Sequence, residues 1–284
     1  MGILLSFSSY IKLTYKNGFK IMQSLQTFPQ LGKNGIRILK VIIVILLILA
    51  IGVCIFDNCN AVMALAGEHY EDTLPIYSVE TEDKVVSITF DAAWGDEDLD
   101  EILTILETHN CKATFFVTGD WATRYPDAIQ KIWKSGHDLG NHGANHKHMT
   151  QLSREEMLEE IEGCHTIIKT MTGVDMNLFR APYGDYDGSV ILAARSEEYY
   201  TIQWDVDSLD WKDYGVESII DKVCHHKDLK NGSIILLHNG SQYTCAALDQ
   251  LLTGLEEQGY TFVPVSELIY TENYSIDHTG RQYR

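Results

Sequence analysis

The chain has 284 residues, 45% of them hydrophobic, enough for one large or two small domains with a true core and too apolar for a disordered chain. Its formal net charge of −18 is unevenly placed: residues 1–56 hold Lys12, Lys16, Lys20, Lys33, Arg37 and Lys40 and no acid, leaving 16 basic against 40 acidic residues beyond them. A surface that acidic repels phosphate backbones and anionic lipid, which argues against nucleic-acid binding and against a folded part lying on a membrane.

Residues 1–40 read as a basic segment. Residues 41–56 (VIIVILLILAIGVCIF) are apolar without a charge. With Ile38 and Leu39 added and Lys40 snorkelling, this run predicts a single transmembrane anchor. All flanking positive charge precedes it and Asp57 follows, so the N-terminus is expected in the cytoplasm and the remainder outside the membrane. Ala64-Leu65-Ala66 resembles a signal-peptidase site but stands well past the apolar run, and the segment is read as an uncleaved anchor. Residues 57–83 read as an acidic stalk.

Strand-like and helix-like patterns then alternate. Residues 84–90 (KVVSITF) are apolar and β-branched, and Leu99, Ile102, Leu103 and Leu106 mark a helix face. Residues 113–117 (ATFFV) are the next strand. Pro126 opens a helix carrying Ile129, Ile132 and Trp133 and closed by Gly136. Residues 137–141 are a third strand. Ser153 and Glu156 form a capping-box signature, and Met157, Ile161, Cys164, Ile168 and Met171 recur behind it at helical spacing, a packing stripe. A strand near 178–180, a helix near 187–196, a strand over 200–205, a helix near 216–226 and the strand 233–238 (SIILLH) follow. Leu248, Leu251, Leu252 and Leu255 mark a helix closed by Gly259, and residues 260–265 are the last strand. Repeated βα units over residues 84–268 predict an α/β fold with a parallel sheet, open or closed into a barrel, and residues 269–284 a C-terminal tail. The six cysteines show no C-x-x-C pair or zinc-type spacing and are read as buried free thiols.

Polar residues fall where these strands end. Asp91 follows the first, His142 the third, Arg180 another, Asp205 and Asp207 the next, and His238 closes SIILLH. Strand C-termini of a parallel barrel open on one face, so side chains from distant parts of the chain are expected to converge there. NHGANH spaces His142 and His146 so that two imidazoles can reach one cation, although H-x-x-x-H alone is common by chance. Arg180 in FRAPYG suits pairing with a carboxylate and keeping it ionised. WDVDSLDW reads as an acidic loop or, with Trp204 and Trp211 beside its acids, as the edge of a sugar-binding cleft. His238, with an apolar floor and an open top, suits a titrating general acid. His109, His148, His165, His225, His226 and His278 follow no strand and receive no role.

TFDAAWG, HGANH, RAPYG, DSLDW and LLH, in this order over about residues 84–268, resemble the five motifs of the polysaccharide deacetylase family, carbohydrate esterase family four or NodB-like deacetylases. The resemblance implies a distorted parallel (β/α) barrel, a divalent metal such as zinc, and removal of N-acetyl groups from an envelope glycan such as peptidoglycan. By position it implies Asp91 as general base and a further candidate metal ligand, His142 and His146 as metal ligands, and Arg180 as the residue orienting Asp91. It likewise implies Asp210 paired with a general acid His238, an oxyanion contact from the Tyr183 backbone N–H, and an acetyl pocket walled by Trp211 and Leu236. The FDAAWG form of the first motif is similar to deacetylase-like proteins linked to spore formation.

Two departures stand out. Ala92 occupies the position of a second, metal-binding Asp, and Gly143 replaces a Ser or Thr. Asp91 itself, or Asp96, Glu97 or Asp98, could complete the metal shell. Two other readings remain open: a non-catalytic glycan-binding protein on this fold, and a C–N hydrolase of small molecules.

Overall fold

The structure, a computed structural model, describes residues 74–284 together with Ile42. The basic segment, the apolar run 41–56 and most of the expected stalk lie outside the described residues. Among the described residues no helix is long and apolar enough to cross a membrane.

The chain order is β1 (Ser78–Val79), β2 (Val85–Ala92), α1 (Leu99–Thr108), β3 (Thr114–Val117), α2 (Gly119–Arg124), α3 (Pro126–Lys134), β4 (Asp138–Asn141) and α4 (Arg154–Thr172). It continues with β5 (Leu178–Phe179), α5 (Gly188–Ser196), β6 (Tyr200–Thr201), β7 (Val206–Asp207), α6 (Val216–Cys224), β8 (Ile234–His238), α7 (Thr244–Glu257), β9 (Thr261–Phe262), α8 (Val265–Leu268), β10 (Ser275–Ile276) and β11 (Arg281–Tyr283). The main sheet runs β6-β5-β4-β3-β2-β8-β7, every pairing parallel, with β9 beside the start of β2.

The sheet curls without closing. Its outer strands are β6 and β7, and the chain crosses between them through residues 202–205, so the strand expected over 200–205 is two short strands at opposite edges. Ile76 fills the gap beside β6: its N–H donates to the Thr201 carbonyl at 2.8 Å and its carbonyl accepts from Gln203 N at 2.7 Å. The expected stalk and tail are corrected accordingly. Ile76 and Val79 are buried, β1 pairs with β11, and β10 pairs with β11, so the folded unit takes in residues 76–79 and 275–283. These segments are too short and mixed to show a period.

Strand alternation separates two cores. Val86, Ile88, Phe90 and Ala92 of β2 join Leu99, Ile102 and Leu106 of α1 and Leu248, Leu251 and Leu255 of α7 in the cluster between sheet and helices. Phe116, Leu178, Ile202, Ile234, Ile76, Val79, Val265 and Leu268 form a second cluster. Each Val, Leu, Ile or Phe among them contributes roughly 1.5–3 kcal/mol by leaving water. The capping box forms as expected: Glu156 N donates to Ser153 Oγ at 3.3 Å and Ser153 N to Glu156 Oε2 at 2.8 Å. Helix α2, which has no apolar stripe to announce it, is started by Thr118, whose Oγ1 accepts from Trp121 N at 3.1 Å.

Candidate active site

Strand register brings the polar residues together. Across the parallel ladder Asp91 pairs with His238, Ala92 with Val117, Val117 with Asn141, and Asn141 with Phe179. His142 and Arg180, one residue beyond those last partners, therefore emerge at the same edge as Asp91 and His238. Period-two alternation sets Asp91 on the face of β2 opposite to Phe90 and Ala92.

Asp91 is buried, with Oδ1 accepting from Arg180 Nη1 at 2.7 Å and Oδ2 3.5 Å from His142 Nε2. Burial alone would raise its pKa, but Arg180, His142 and His238 together hold it below the usual carboxylate range. Arg180 is fully buried. Its guanidinium also donates to Thr89 Oγ1 at 2.9 Å and the Gln203 carbonyl at 3.1 Å, and it lies 4.1 Å above the Phe116 ring and 5.4 Å from that of Trp204. That frame leaves the guanidinium one orientation, aimed at Asp91.

Next to this pair lies a second. His238 Nδ1 is 2.7 Å from Asp210 Oδ1, and the fully buried Asp210 also accepts from His238 N at 2.7 Å and Thr244 Oγ1 at 2.6 Å. Burial opposes charge on His238, yet the hydrogen bond and charge of Asp210 raise its pKa above the ordinary histidine value. With Nδ1 engaged, Nε2 is the nitrogen left to exchange a proton.

His142 Nδ1 lies 2.8 Å from the Arg180 carbonyl, so that nitrogen carries the proton and Nε2 keeps its lone pair. Burial lowers the pKa of His142 and pushes that of His146 down to about 4, keeping both imidazoles neutral and able to ligate. Their ring centroids are 5.0 Å apart.

Two aromatic side chains stand at the mouth. Trp94 lies 6.0 Å from the His146 ring and 5.7 Å from that of His238, and both it and Tyr183 are exposed, as is Trp211, which follows Asp210 in the chain. Tyr183 has φ +63° and its ring rests between His146 at 4.5 Å and His148 at 4.0 Å. Leu236, two residues before His238 on the same face of β8, is buried. Asp205 does not reach this mouth: it accepts from Ser233 Oγ and Ile234 N, both at 3.0 Å, at the opposite end of β8. Asp98 accepts from Gly240 N at 2.8 Å and Glu97 is exposed. The sequence reading gave no role to Thr89, Thr244, Trp94 or His148. Thr89 and Trp94 did stand within the first motif, Thr89 as the residue two before Asp91 on the same strand face.

A polysaccharide deacetylase family profile matches residues 78–202. The chain is 34% identical over 198 residues to the peptidoglycan-N-acetylglucosamine deacetylase of Bacillus cereus, covering 68% of this chain and 92% of that protein. With fold, motifs and relatives in agreement, the chain belongs to the polysaccharide deacetylase family. It is also 32% identical to the uncharacterized protein YlxY of Bacillus subtilis over 69% of this chain and 60% of that protein's length. Among solved structures it resembles BA3943 of Bacillus anthracis, described as a pseudoenzyme of carbohydrate esterase family four, with 31% identity, a TM-score of 0.67, and coverage of 75% of this chain and 73% of that one.

Members of the family generally use a divalent metal. The donors here suit one in kind: two neutral imidazoles, His142 with its Nε2 lone pair preserved, and Asp91 Oδ2 beside them. The set is sparse. Ala92 brings no donor and is fully buried in the apolar cluster that also holds Phe90, Leu99 and its strand partner Val117, and among the described residues no three His, Cys, Asp or Glu side chains surround one point.

Proposed function

We propose that this chain is a metal-dependent N-deacetylase of a cell-envelope polysaccharide, peptidoglycan foremost, held outside the membrane by the apolar segment 41–56, and that it belongs to the spore-formation-linked group with an FDAAWG first motif. The observation that carries the reading is the pair of buried ion pairs, Asp91–Arg180 and His238–Asp210, on adjacent strands beside His142 and His146. A relic would have little use for two such pairs at one mouth.

Amide hydrolysis needs an activated water, a polarised carbonyl and a proton for the leaving nitrogen. Asp91, kept ionised by Arg180, accepts the proton of the attacking water at Oδ2. His238, kept protonated by Asp210, gives the proton on Nε2 to the departing amine. The Tyr183 backbone N–H donates to the developing oxyanion. His142 and His146 would hold a divalent cation, zinc by the kind of donors, which would supply Lewis acidity at the scissile amide. Trp94 and Tyr183, and Trp211 next to Asp210, offer exposed ring faces to the sugars of the glycan. A relative named as a peptidoglycan deacetylase supports the choice of substrate.

Ala92 favours one second reading, a glycan-binding protein that has lost turnover. BA3943 is described as a pseudoenzyme, and a mutant of it as having restored enzymatic activity. Acetate release from peptidoglycan and from chitooligosaccharides, with and without added zinc, separates the two. Zinc-dependent acetate release abolished by Asp91→Asn supports the enzyme. Binding of either glycan without acetate release under all conditions establishes the second reading.

A further inference from the structure

Helix α4 is charged along its exposed side, yet Glu160 is turned inward and is 2% exposed. Its carboxylate makes three contacts, all with the loop that carries His146. Oε2 accepts from Asn145 N at 2.7 Å, and Oε1 accepts from Asn145 Nδ2 at 2.8 Å and from Lys147 Nζ at 2.9 Å. The residues on both sides of His146 are thus tied to one buried group.

The loop needs such a tie. His146 has φ +55° and Gly143 φ +76°, so two of the five residues from His142 to Asn145 and His146 are left-handed, and one of them is a histidine with no glycine's freedom. Helix α4 approaches the loop through Gly163, where a Cβ would stand 3.1 Å from that of Ala144. At Gly143 a Cβ would stand 3.4 Å from Glu160 Oε2 and 3.7 Å from Pro182 Cγ. Burial opposes ionisation of Glu160, but the Asn145 and Lys147 contacts hold its pKa below the usual range, so the clamp is a charged one.

We infer that Glu160 is a positioning residue for the cation site: it fixes the left-handed backbone at His146 and thereby holds the second imidazole beside His142. The inference rests on the proposal that His146 is a metal ligand. It assigns to a helix residue outside the five motifs the task of keeping a sparse donor set in place.

The test is zinc affinity of the full-length protein, titrated against a chromophoric chelator at a temperature where every variant is folded. Glu160→Ala should weaken zinc binding about 10- to 100-fold, the range seen when groups that orient ligands are removed. Glu160→Gln, which keeps an acceptor for Asn145 N and loses the Lys147 pair, should fall between. In a His146→Ala background Glu160→Ala should have no further effect on zinc, because the imidazole it positions is gone. Equal losses in both backgrounds, or a lowered Tm with unchanged zinc affinity, overturn the inference. If Glu160→Ala does not fold, Asn145→Ala and Lys147→Met apply the same cycle to the other side of the clamp. Wild-type protein that binds no zinc defeats the metal reading itself. Wild-type protein that loses zinc on His146→Ala but not on Glu160→Ala defeats only the role given to Glu160.

Discussion

Asp91 and Asp210 each sit buried beside a cationic partner, and every partner is itself held: Arg180 between Phe116 and Trp204, His238 by two bonds to one carboxylate. Beside them His142 and His146 offer two imidazoles, and Ala92, where the motif resemblance implies an aspartate, is buried in the apolar cluster instead. On the proposed function, the half of the mouth assigned to proton transfer has both its ion pairs, and the half assigned to the cation is sparse in donors. The contrast teaches where the chain can tolerate loss. A buried charge without its partner is strongly destabilising, so neither ion pair can lose one member quietly. A cation held as proposed could take water in place of a carboxylate ligand and would bind less tightly.

The most damaging way to break this comparison is to remove the proton-transfer groups. Asp91→Asn and His238→Ala should each lower turnover about 10²- to 10⁴-fold in acetate-release assays. His238→Ala should leave zinc content unchanged. Zinc lost along with activity in Asp91→Asn would show that Asp91 belongs to both halves. Arg180→Ala should destabilise the fold by about 3–5 kcal/mol in denaturant titration, because it leaves the Asp91 carboxylate buried and unpaired. That loss should shrink as pH falls. Asp91 has a lowered pKa when folded, so its pairing stabilises above the unfolded value of about 3.9 and is lost as pH drops through the folded one.

A subtler change separates the roles of the two carboxylates. The rate should fall in acid as Asp91 gains a proton and in alkali as His238 loses one, the latter above the ordinary histidine range. Asp210→Asn removes the charge that keeps His238 protonated and should move the alkaline limb to lower pH while the acid limb stays in place. A profile unchanged by Asp210→Asn would mean that His238 is not the acid. The smallest effect tests the cation half. Ala92→Asp should bind zinc several-fold more tightly, and because the new carboxylate enters an apolar cluster it should lower Tm without zinc and recover more of it with zinc than the parent does. Zinc affinity unchanged by Ala92→Asp would show that a carboxylate already fills that place.

The sequence alone determined a great deal of this protein. Hydrophobic alternation located the strands and most helices, and the polar residues closing Asp91, His142, Arg180 and His238 into strand ends were legible because a parallel sheet collects those ends on one edge. The five-motif resemblance named Asp210 as the partner of His238, and the structure places their side chains 2.7 Å apart. Other features were decided only in three dimensions. Residues 76–79 and 275–283 are too short to show a period, and they enter the fold through strand pairing at a distance in sequence together with burial of Ile76 and Val79, neither of which a short segment announces. Residues 200–205 look like one strand because extended backbone and apolar content do not say which neighbour will pair. Asp205 stood in the sequence beside Asp207 and Asp210, yet the crossing between sheet edges carried it to the far end of β8. Glu160 read as one more acid on a helix, since burial of a single charged residue depends on what the next loop brings to it: here Asn145 and Lys147, on either side of His146.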